Sequence, residues 1–486
     1  MKHERIRRAL PATLLLAAGL ALRLWFIFQH SLVSGDTLLY ADIAKNWFDH
    51  HIYGHTTDSG IQPTLIRLPG YPLFLGICFV FFGTDHFNAV LIVQALFELT
   101  GCVLIALLAR NLFGARAGII ALALGCLCPF TANYTATPLA ETLTLFTIAL
   151  ALFSLERWQA ALHRTGKALN AHFYLIAVAT GYGILLRPDE ALLAMAVFPA
   201  MLWISYRHHH TLATTQPSGH THTVIVASLP ACLCMALALS PLVPWTIRNA
   251  HTMHVFQPLA PRYASDPGEA IPSGFYRWFR TWGIEFADTS SAYWNYPDDP
   301  INIADLPNRA FDSQEQYART AEIINDANQH SDLSPEIEDR FAALAKERIA
   351  EDPLRYWIEL PIARVANMLL RPRTENMAID LRWWQYREHR ADTIFSAAYA
   401  ALNLAYIVAG IFGFRRAWRD SSSPTRSPTR SSTRIILATG AAYILLRCAM
   451  LLTIDNSEPR YTLEFFPILT LLAAALFARN DHRLHR

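Results

Sequence analysis

The chain has 486 residues, 53% of them hydrophobic and only 16% charged, and its net charge is +2. Soluble domains carry about a quarter charged residues, so this deficit excludes an ordinary soluble globular protein and indicates a membrane protein. The near-neutral balance says little about partners, and no nucleic-acid partner is expected.

Apolar segments of about 18–25 residues, long enough to cross ~30 Å of hydrocarbon, alternate with two polar regions near 29–68 and 244–392. A basic start, Lys2 to Arg8, precedes an apolar run from Ala9 to Phe28 that ends Leu24-Trp25-Phe26-Ile27-Phe28. A cleaved signal peptide has a shorter core and small residues at its cut site, so this run reads as an uncleaved first span. Ten spans are predicted, near 9–28, 88–110, 116–134, 138–157, 172–187, 190–206, 223–243, 393–414, 434–453 and 461–478. Arg23, inside the first, is expected to snorkel outward. Residues 69–83 form a further apolar stretch, opened by Pro69, Gly70 and Pro72. It is too short to cross and reads as interfacial or re-entrant.

The basic residues check this topology. With the N-terminus in the cytoplasm, the cytoplasmic connections carry Arg110 and Arg116; Arg157, His163, Arg164 and Lys167; Arg207 with His208, His209 and His210; Arg415, Arg416, Arg419, Arg426, Arg430 and Arg434; and Arg479, Arg483 and Arg486. Every basic connection then obeys the positive-inside rule, both long polar regions fall outside, and the number of spans is even. The Ser- and Pro-rich stretch 420–433 reads as a flexible linker. His208, His209, His210, His220 and His222 lack acidic companions and read as a solvated linker. The seven cysteines lie mostly inside apolar runs without metal or secreted-disulfide spacing, and read as buried thiols.

The chain thus divides into an N-terminal transmembrane module, 1–243, with a first outer loop at 29–87; an outer region, 244–392; and a C-terminal transmembrane module, 393–486. The outer region is too long for a linker. It is aromatic at first (Phe275, Tyr276, Trp278, Phe279, Trp282, Tyr293, Trp294, Tyr296) and then helical. Ser334-Pro335 starts one helix, with Ser334 as N-cap. Asp352-Pro353 starts a second, amphipathic helix, expected to lie flat on the outer leaflet with a kink at Pro361.

Polar groups at membrane depth are functional candidates. Several recur at the outer ends of spans: Arg67, Glu141, the turn Arg187-Pro188-Asp189-Glu190, Trp245-x-x-Arg248-Asn249, and Asp455 to Tyr461 with Glu458 and Arg460. Asp36 lies in Gly35-Asp36-Thr37-Leu38-Leu39-Tyr40, just past the first span. Carboxylates and arginines therefore converge on one side of the membrane, where a polyprenyl-phosphate sugar presents its glycosidic phosphate. Breaking the sugar–phosphate bond leaves an anion that arginine stabilises, by about 3–4 kcal/mol per well-placed donor. The acceptor hydroxyl needs a carboxylate as general base, and an inverting displacement needs no covalent nucleophile. Plainer readings stand beside these. Arg187 and Arg460 also fit interfacial snorkelling, Arg248 with Trp245 an anchor pair, Glu141 a helix–helix hydrogen bond, and Arg67 the organisation of the Pro-Gly-Tyr-Pro turn.

With these residues in this order, the chain resembles the GT-C fold glycosyltransferases. It is most similar to the branch with bacterial protein O-mannosyltransferase-like enzymes and lipid A aminoarabinose transferases. The resemblance is carried by Gly35-Asp36 with Tyr40-Ala41, Arg67-x-Pro69-Gly70-Tyr71-Pro72-Leu73-Phe74, Pro138-x-x-Glu141, Arg187-Pro188, Pro244-Trp245-x-x-Arg248-Asn249 and Pro459-Arg460-Tyr461. It implies an all-α polytopic GT-C-like bundle of about ten transmembrane helices, with two helices along the membrane in the first outer loop. It also implies Asp36 as the catalytic acid, although the family often has Asp-Glu where this chain has Asp36-Thr37.

The donor implied is a polyprenyl-phosphate monosaccharide. Arg67, Arg187, Arg248 and Arg460 are the candidates for its phosphate, and Tyr40, Tyr71, Glu141, Asp189, Glu190, Glu458 and Tyr461 those for sugar and acceptor. The acceptor is a protein, a lipid or a glycan. Membrane lipids are the other expected partners. No cofactor is expected: some relatives use a divalent metal, but no compact ligand set is visible. The expected location is the inner membrane of a bacterium, with both termini cytoplasmic and the site on the outer face. A flippase for lipid-linked sugars, or a polymerase or ligase using an oligosaccharide-diphosphate lipid, are the alternatives. Internal repeats and mid-depth broken helices would favour the flippase.

Overall fold

The structure, a computed structural model, describes residues 2–33, 35–213, 220–329, 333–421 and 428–478. Side chains at 2–9, 212, 213, 220–224 and 428–431 are not described. The charges at Lys2–Arg8, Arg426, Arg430, Arg479, Arg483 and Arg486, the histidines His220 and His222, and Ser34 therefore lie outside the described side chains. Contacts divide the chain into two units. The first is Met1–Asp266 with Ala405–Leu445 and Leu463–Arg486, and the second is Pro267–Leu404 with Leu446–Thr462.

The first unit begins with α1 (Lys2–His30) and α2 (Asp36–His50). An antiparallel hairpin follows, β1 (Gly54–Thr57) and β2 (Gly60–Pro63), paired Gly54 to Pro63 and Thr57 to Gly60. Next come α3 (Gly70–Phe82), α4 (Phe87–Phe113), α5 (Ala115–Cys126), α6 (Pro129–Tyr134), α7 (Glu141–Thr165), α8 (Ala171–Leu186), α9 (Ala191–Ala213), α10 (His220–Leu239) and α11 (Leu242–Thr252). The second unit holds α12 (Ser273–Phe279), α13 (Phe286–Asp288), α14 (Gln314–Asn328), α15 (Pro335–Glu351) and α16 (Leu360–Leu370). The last helices are α17 (Arg390–Ser421), α18 (Pro428–Leu451) and α19 (Phe466–Ala474).

Among the described residues, eight helical segments are long and apolar enough to cross a membrane: Leu10–His30, Phe87–Phe113, Glu141–Thr165, Pro188–Thr211, Ile225–Thr252, Arg390–Ser421, Ser432–Leu451 and Pro459–Phe477. The protein is an all-α polytopic integral membrane protein. The other two of the ten predicted spans are built from shorter apolar helices. The stretch 116–134 is two helices, because the chain turns at Leu127–Cys128 and restarts at Pro129. The stretch 172–187 is α8, whose 16 residues reach roughly 24 Å, short of ~30 Å of hydrocarbon. α3 has 13 residues and is likewise too short to cross. His208, His209 and His210 belong to α9, not to a linker.

In lipid, helices associate through close packing of small side chains and through satisfied polar groups. The core of the first unit follows both rules. Leu108, Ala109, Ala117, Ala121 and Cys126 of α4 and α5 pack with Leu152, Trp158, Phe173 and Ile176. Arg23 does not snorkel. It is fully buried and ion-paired with Glu98 of α4. Its Nη1 donates to the carbonyls of Gly19 (2.8 Å) and Cys126 (2.7 Å), so it caps the broken end of α5.

The second unit has its own core. The aromatic run of the sequence supplies it: Phe275, Trp278, Phe279 and Trp282 surround Phe341 of α15. Phe275 stacks on Tyr296 at 4.2 Å. α15 starts at Pro335 as expected, but Ser334 makes no side-chain cap. Before α16 the backbone widens into a π-helical turn, Arg355–Glu359, and Pro361 follows in the first turn of α16. Proline lacks an N–H, so the first turn of a helix tolerates it.

Candidate functional site

The site is built in the first unit, from the start of α2. Gly35 takes φ +52°, a conformation glycine adopts at little cost, and its carbonyl accepts from the Leu38 N–H at 3.0 Å. Asp36 is thereby the first residue of α2, where the helix dipole favours a carboxylate. Its Oδ1 lies 2.6 Å from Arg67 Nη2, with the acid side chain 32% exposed and the arginine 19%. The Arg67 guanidinium lies over the Tyr40 ring, 5.6 Å from its centroid. Tyr40 meets Tyr71 edge to face at 5.1 Å. The buried Tyr71 hydroxyl donates to Gln94 Oε1, and Gln94 Nε2 donates to the Thr137 carbonyl at 3.1 Å.

A close backbone approach brings a second group near. A Cβ at Gly70 would lie 2.5 Å from the Leu185 carbonyl, and the Tyr182 hydroxyl donates to the Gly70 carbonyl at 3.0 Å. The start of α3 is therefore held against the end of α8, and the residue after α8 is Arg187. Three carboxylates surround Arg187. Nη1 lies 2.7 Å from Glu141 Oε1 and 3.5 Å from Glu464 Oε1. Asp189 takes Nε at 3.1 Å and Nη2 at 3.2 Å. Burial pulls the Arg187 guanidinium down, but Asp189, Glu464 and Glu141 outweigh it and hold the group well above its usual value. Tyr40 stands in the field of both groups. Burial raises its phenol first, Arg67 pulls it back, Asp36 and Glu141 push it up, and Arg187 pulls it down.

Asp36, Arg67, Tyr40 and Tyr71 thus form one cluster, and Arg187, Glu141 and Asp189 a second beside it. Two further candidates in this unit are used differently. Glu190 is fully buried and accepts the Tyr443 hydroxyl at 2.7 Å, so it joins helices. Arg248 donates to two backbone carbonyls, Thr64 O at 2.7 Å and Tyr53 O. Glu458, Arg460 and Tyr461 lie in the second unit. There Arg460 pairs with Glu458 and covers the Tyr461 ring, and the Tyr461 hydroxyl donates to Glu458 Oε1 at 2.8 Å.

Sequence reading missed Glu464 and Gln94, both fully buried. Each is a polar residue inside a predicted span, and that signal alone marks them. Tyr53 and Thr64, which frame the hairpin, carry no such mark. Among the described residues no three His, Cys, Asp or Glu side chains are grouped as a metal set requires.

A family model described as dolichyl-phosphate-mannose-protein mannosyltransferase matches residues 63–247. That stretch holds Arg67, Tyr71, Glu141, Arg187, Asp189 and Glu190. No curated protein matches the chain. Among solved structures, ArnT from Cupriavidus metallidurans in the apo state is similar with 16% identity and a TM-score of 0.37, over 96% of this chain and 77% of that one. ArnT from the same organism bound to undecaprenyl phosphate aligns with a TM-score of 0.34 at 16% identity, with the same coverage of 96% and 77%. The oligosaccharyltransferase AglB from Archaeoglobus fulgidus, in complex with an inhibitory peptide and a dolichol-phosphate, aligns with a TM-score of 0.49 at 13% identity. That alignment covers 97% of this chain and 50% of AglB, so the chain spans half of AglB's length. The family match covers the motifs from Arg67 to Arg187, while Asp36, Tyr40, Asn249 and Pro459-Arg460-Tyr461 lie outside it.

Proposed function

We propose that this protein is an inverting glycosyltransferase that moves a sugar from a polyprenyl-phosphate donor to an acceptor hydroxyl on the outer face of the membrane. The observation that carries the reading is the Asp36–Arg67 pair, a part-exposed carboxylate paired with a guanidinium at the start of a helix. The family match supports glycosyl transfer from a lipid-linked sugar in general, and the positive-inside charge pattern supports the outer face.

In this reading Asp36 takes the proton of the acceptor hydroxyl as its oxygen bonds to the anomeric carbon. The bond from that carbon to the phosphate oxygen breaks, and its electron pair leaves with the phosphate. Arg67 holds Asp36 in place, and its part-exposed guanidinium meets the charge growing on the phosphate. Arg187, already matched by three carboxylates, orders the acids Glu141 and Asp189 for hydroxyls of the sugar. Attack from the face opposite the phosphate inverts the anomeric configuration, and one base suffices.

The test is transfer from a labelled mannosyl-phosphoryl-polyprenol in proteoliposomes. Asp36→Asn is expected to lower turnover by about 10²–10⁴-fold, the usual worth of a general base. Turnover that ignores Asp36→Asn would sink the assignment, and donor movement across the bilayer without sugar transfer would favour a flippase.

A further inference from the structure

The β1–β2 hairpin rests on α2 at one end. Asp42 accepts the Thr56 N–H at 2.6 Å and its hydroxyl at 2.9 Å, and Asn46 Nδ2 donates to the Gly54 carbonyl at 3.1 Å. Its neck is formed by Tyr53 and Thr64, joined by the Thr64 N–H to the Tyr53 carbonyl at 3.2 Å. Arg248, on α11, grips both sides of that neck. One Nη donates to Thr64 O and the other to Tyr53 O. The guanidinium also stands 5.4 Å from the ring centroids of Tyr53 and Trp245, and those two rings meet edge to face at 4.9 Å. The Tyr53 hydroxyl in turn donates to the Arg67 carbonyl at 2.9 Å. Asp266 fixes the intervening strand end by accepting the Leu65 N–H at 2.8 Å.

A continuous set of bonds therefore runs from Arg248 through Tyr53 to the backbone of Arg67, and from the Arg67 side chain to Asp36. Charge-assisted bonds from a planar fork to two carbonyls fix geometry in a way a point charge does not. We propose that Arg248 is a positioning residue. It clamps the hairpin neck so that Arg67 presents Asp36 to the acceptor, and its guanidinium is not a ligand of the donor phosphate. The catalytic half of this inference rests on the reading of Asp36 as base; the clamp itself does not.

The experiment uses the full chain in nanodiscs, with Arg248→Gln, Arg248→Lys and Tyr53→Phe. Hydrogen exchange of the amides at 53–67 is expected to rise at least about tenfold in Arg248→Gln, while undecaprenyl phosphate, used as the probe, binds within about threefold of the parent. Turnover of mannosyl-phosphoryl-undecaprenol is expected to lose kcat with KM little changed, with Arg248→Lys intermediate. Tyr53→Phe is expected to be non-additive with Arg248→Gln, as residues in one network are. Unchanged exchange at 53–67 in Arg248→Gln overturns the clamp, and so does a tenfold loss of undecaprenyl phosphate binding with normal exchange. If the parent shows no turnover at all, the reading of Asp36 fails while exchange and lipid binding still decide the clamp.

Discussion

Arg187 is matched by more negative charge than it carries, and this makes it a structural cation first. Glu464 is fully buried and Glu141 nearly so, and two carboxylates at that depth are tolerable only because a guanidinium lies within hydrogen-bond reach of one and 3.5 Å of the other. Removing one partner of a buried charge group leaves the others uncompensated. Arg187→Met is expected to cost about 2–3 kcal/mol, read as a lower thermal midpoint in detergent. Adding Glu464→Gln to that variant should restore part of the loss. An unchanged midpoint in Arg187→Met would show that the acids do not need it. The same logic reassigns Arg23, whose partners Glu98, Gly19 and Cys126 leave no role for snorkelling.

At the level of elements, the second unit ties its loops to α15 through one acid. Asp312 accepts both Nη groups of Arg355, at 2.8 and 2.9 Å, and lies 3.1 Å from Arg348. Burial pushes the Asp312 carboxyl up, but hydrogen bonds from Arg355 and the charges of Arg348 and Arg355 hold it below the ordinary aspartate range. Burial also pushes Arg348 down to about 10, so at neutral pH this arginine stays charged. A carboxyl with a depressed folded pKa contributes stability that is complete above its unfolded pKa of about 3.9. That contribution is lost as pH falls below this value, through the folded one. Unfolding followed by the fluorescence of the buried Trp278 and Trp282 should therefore show a destabilisation below about pH 4 that Asp312→Asn lacks. An identical acid limb in both proteins would assign it to other groups.

For the whole molecule, the decisive property is parity. Eight crossings and ten crossings both return the chain to its starting side, but they differ between α5 and α8. Ten keep the basic 157–167 connection inside, eight without α5 and α8 would place Arg157, Arg164 and Lys167 outside, and a crossing by α3 would reverse every later connection. A cytoplasm-dependent fluorescent reporter fused after Arg486 is expected to be active. A reporter that needs the outer side is expected to be active when inserted at Asp298–Asp299 and silent at Lys167. The reverse pattern would invert the proposed sidedness. Much of this was legible in the sequence because it rests on composition and order. Hydrocarbon length selects apolar runs, basic loops suggest their orientation, and the motifs around Asp36, Arg67, Gly70, Glu141 and Arg187 fall in two neighbouring clusters of the first unit. The β1–β2 hairpin was not legible, since its four-residue strands carry no alternating apolar pattern and are held by Asp42 and Asn46 of α2. Nor was the job of each arginine. Sequence by itself determined that this is a polytopic helical membrane protein with charges gathered at the ends of its spans. Only tertiary structure decided which charges face each other: that Arg67 takes Asp36, that Arg187 is held by Glu141, Asp189 and Glu464, and that Arg248 donates to the backbone carbonyls of Tyr53 and Thr64 as well as to Asn249 Oδ1. A guanidinium's role is set by the acceptors within about 3 Å of it, and apart from near neighbours such as Asp189 those come from residues tens to hundreds of positions away.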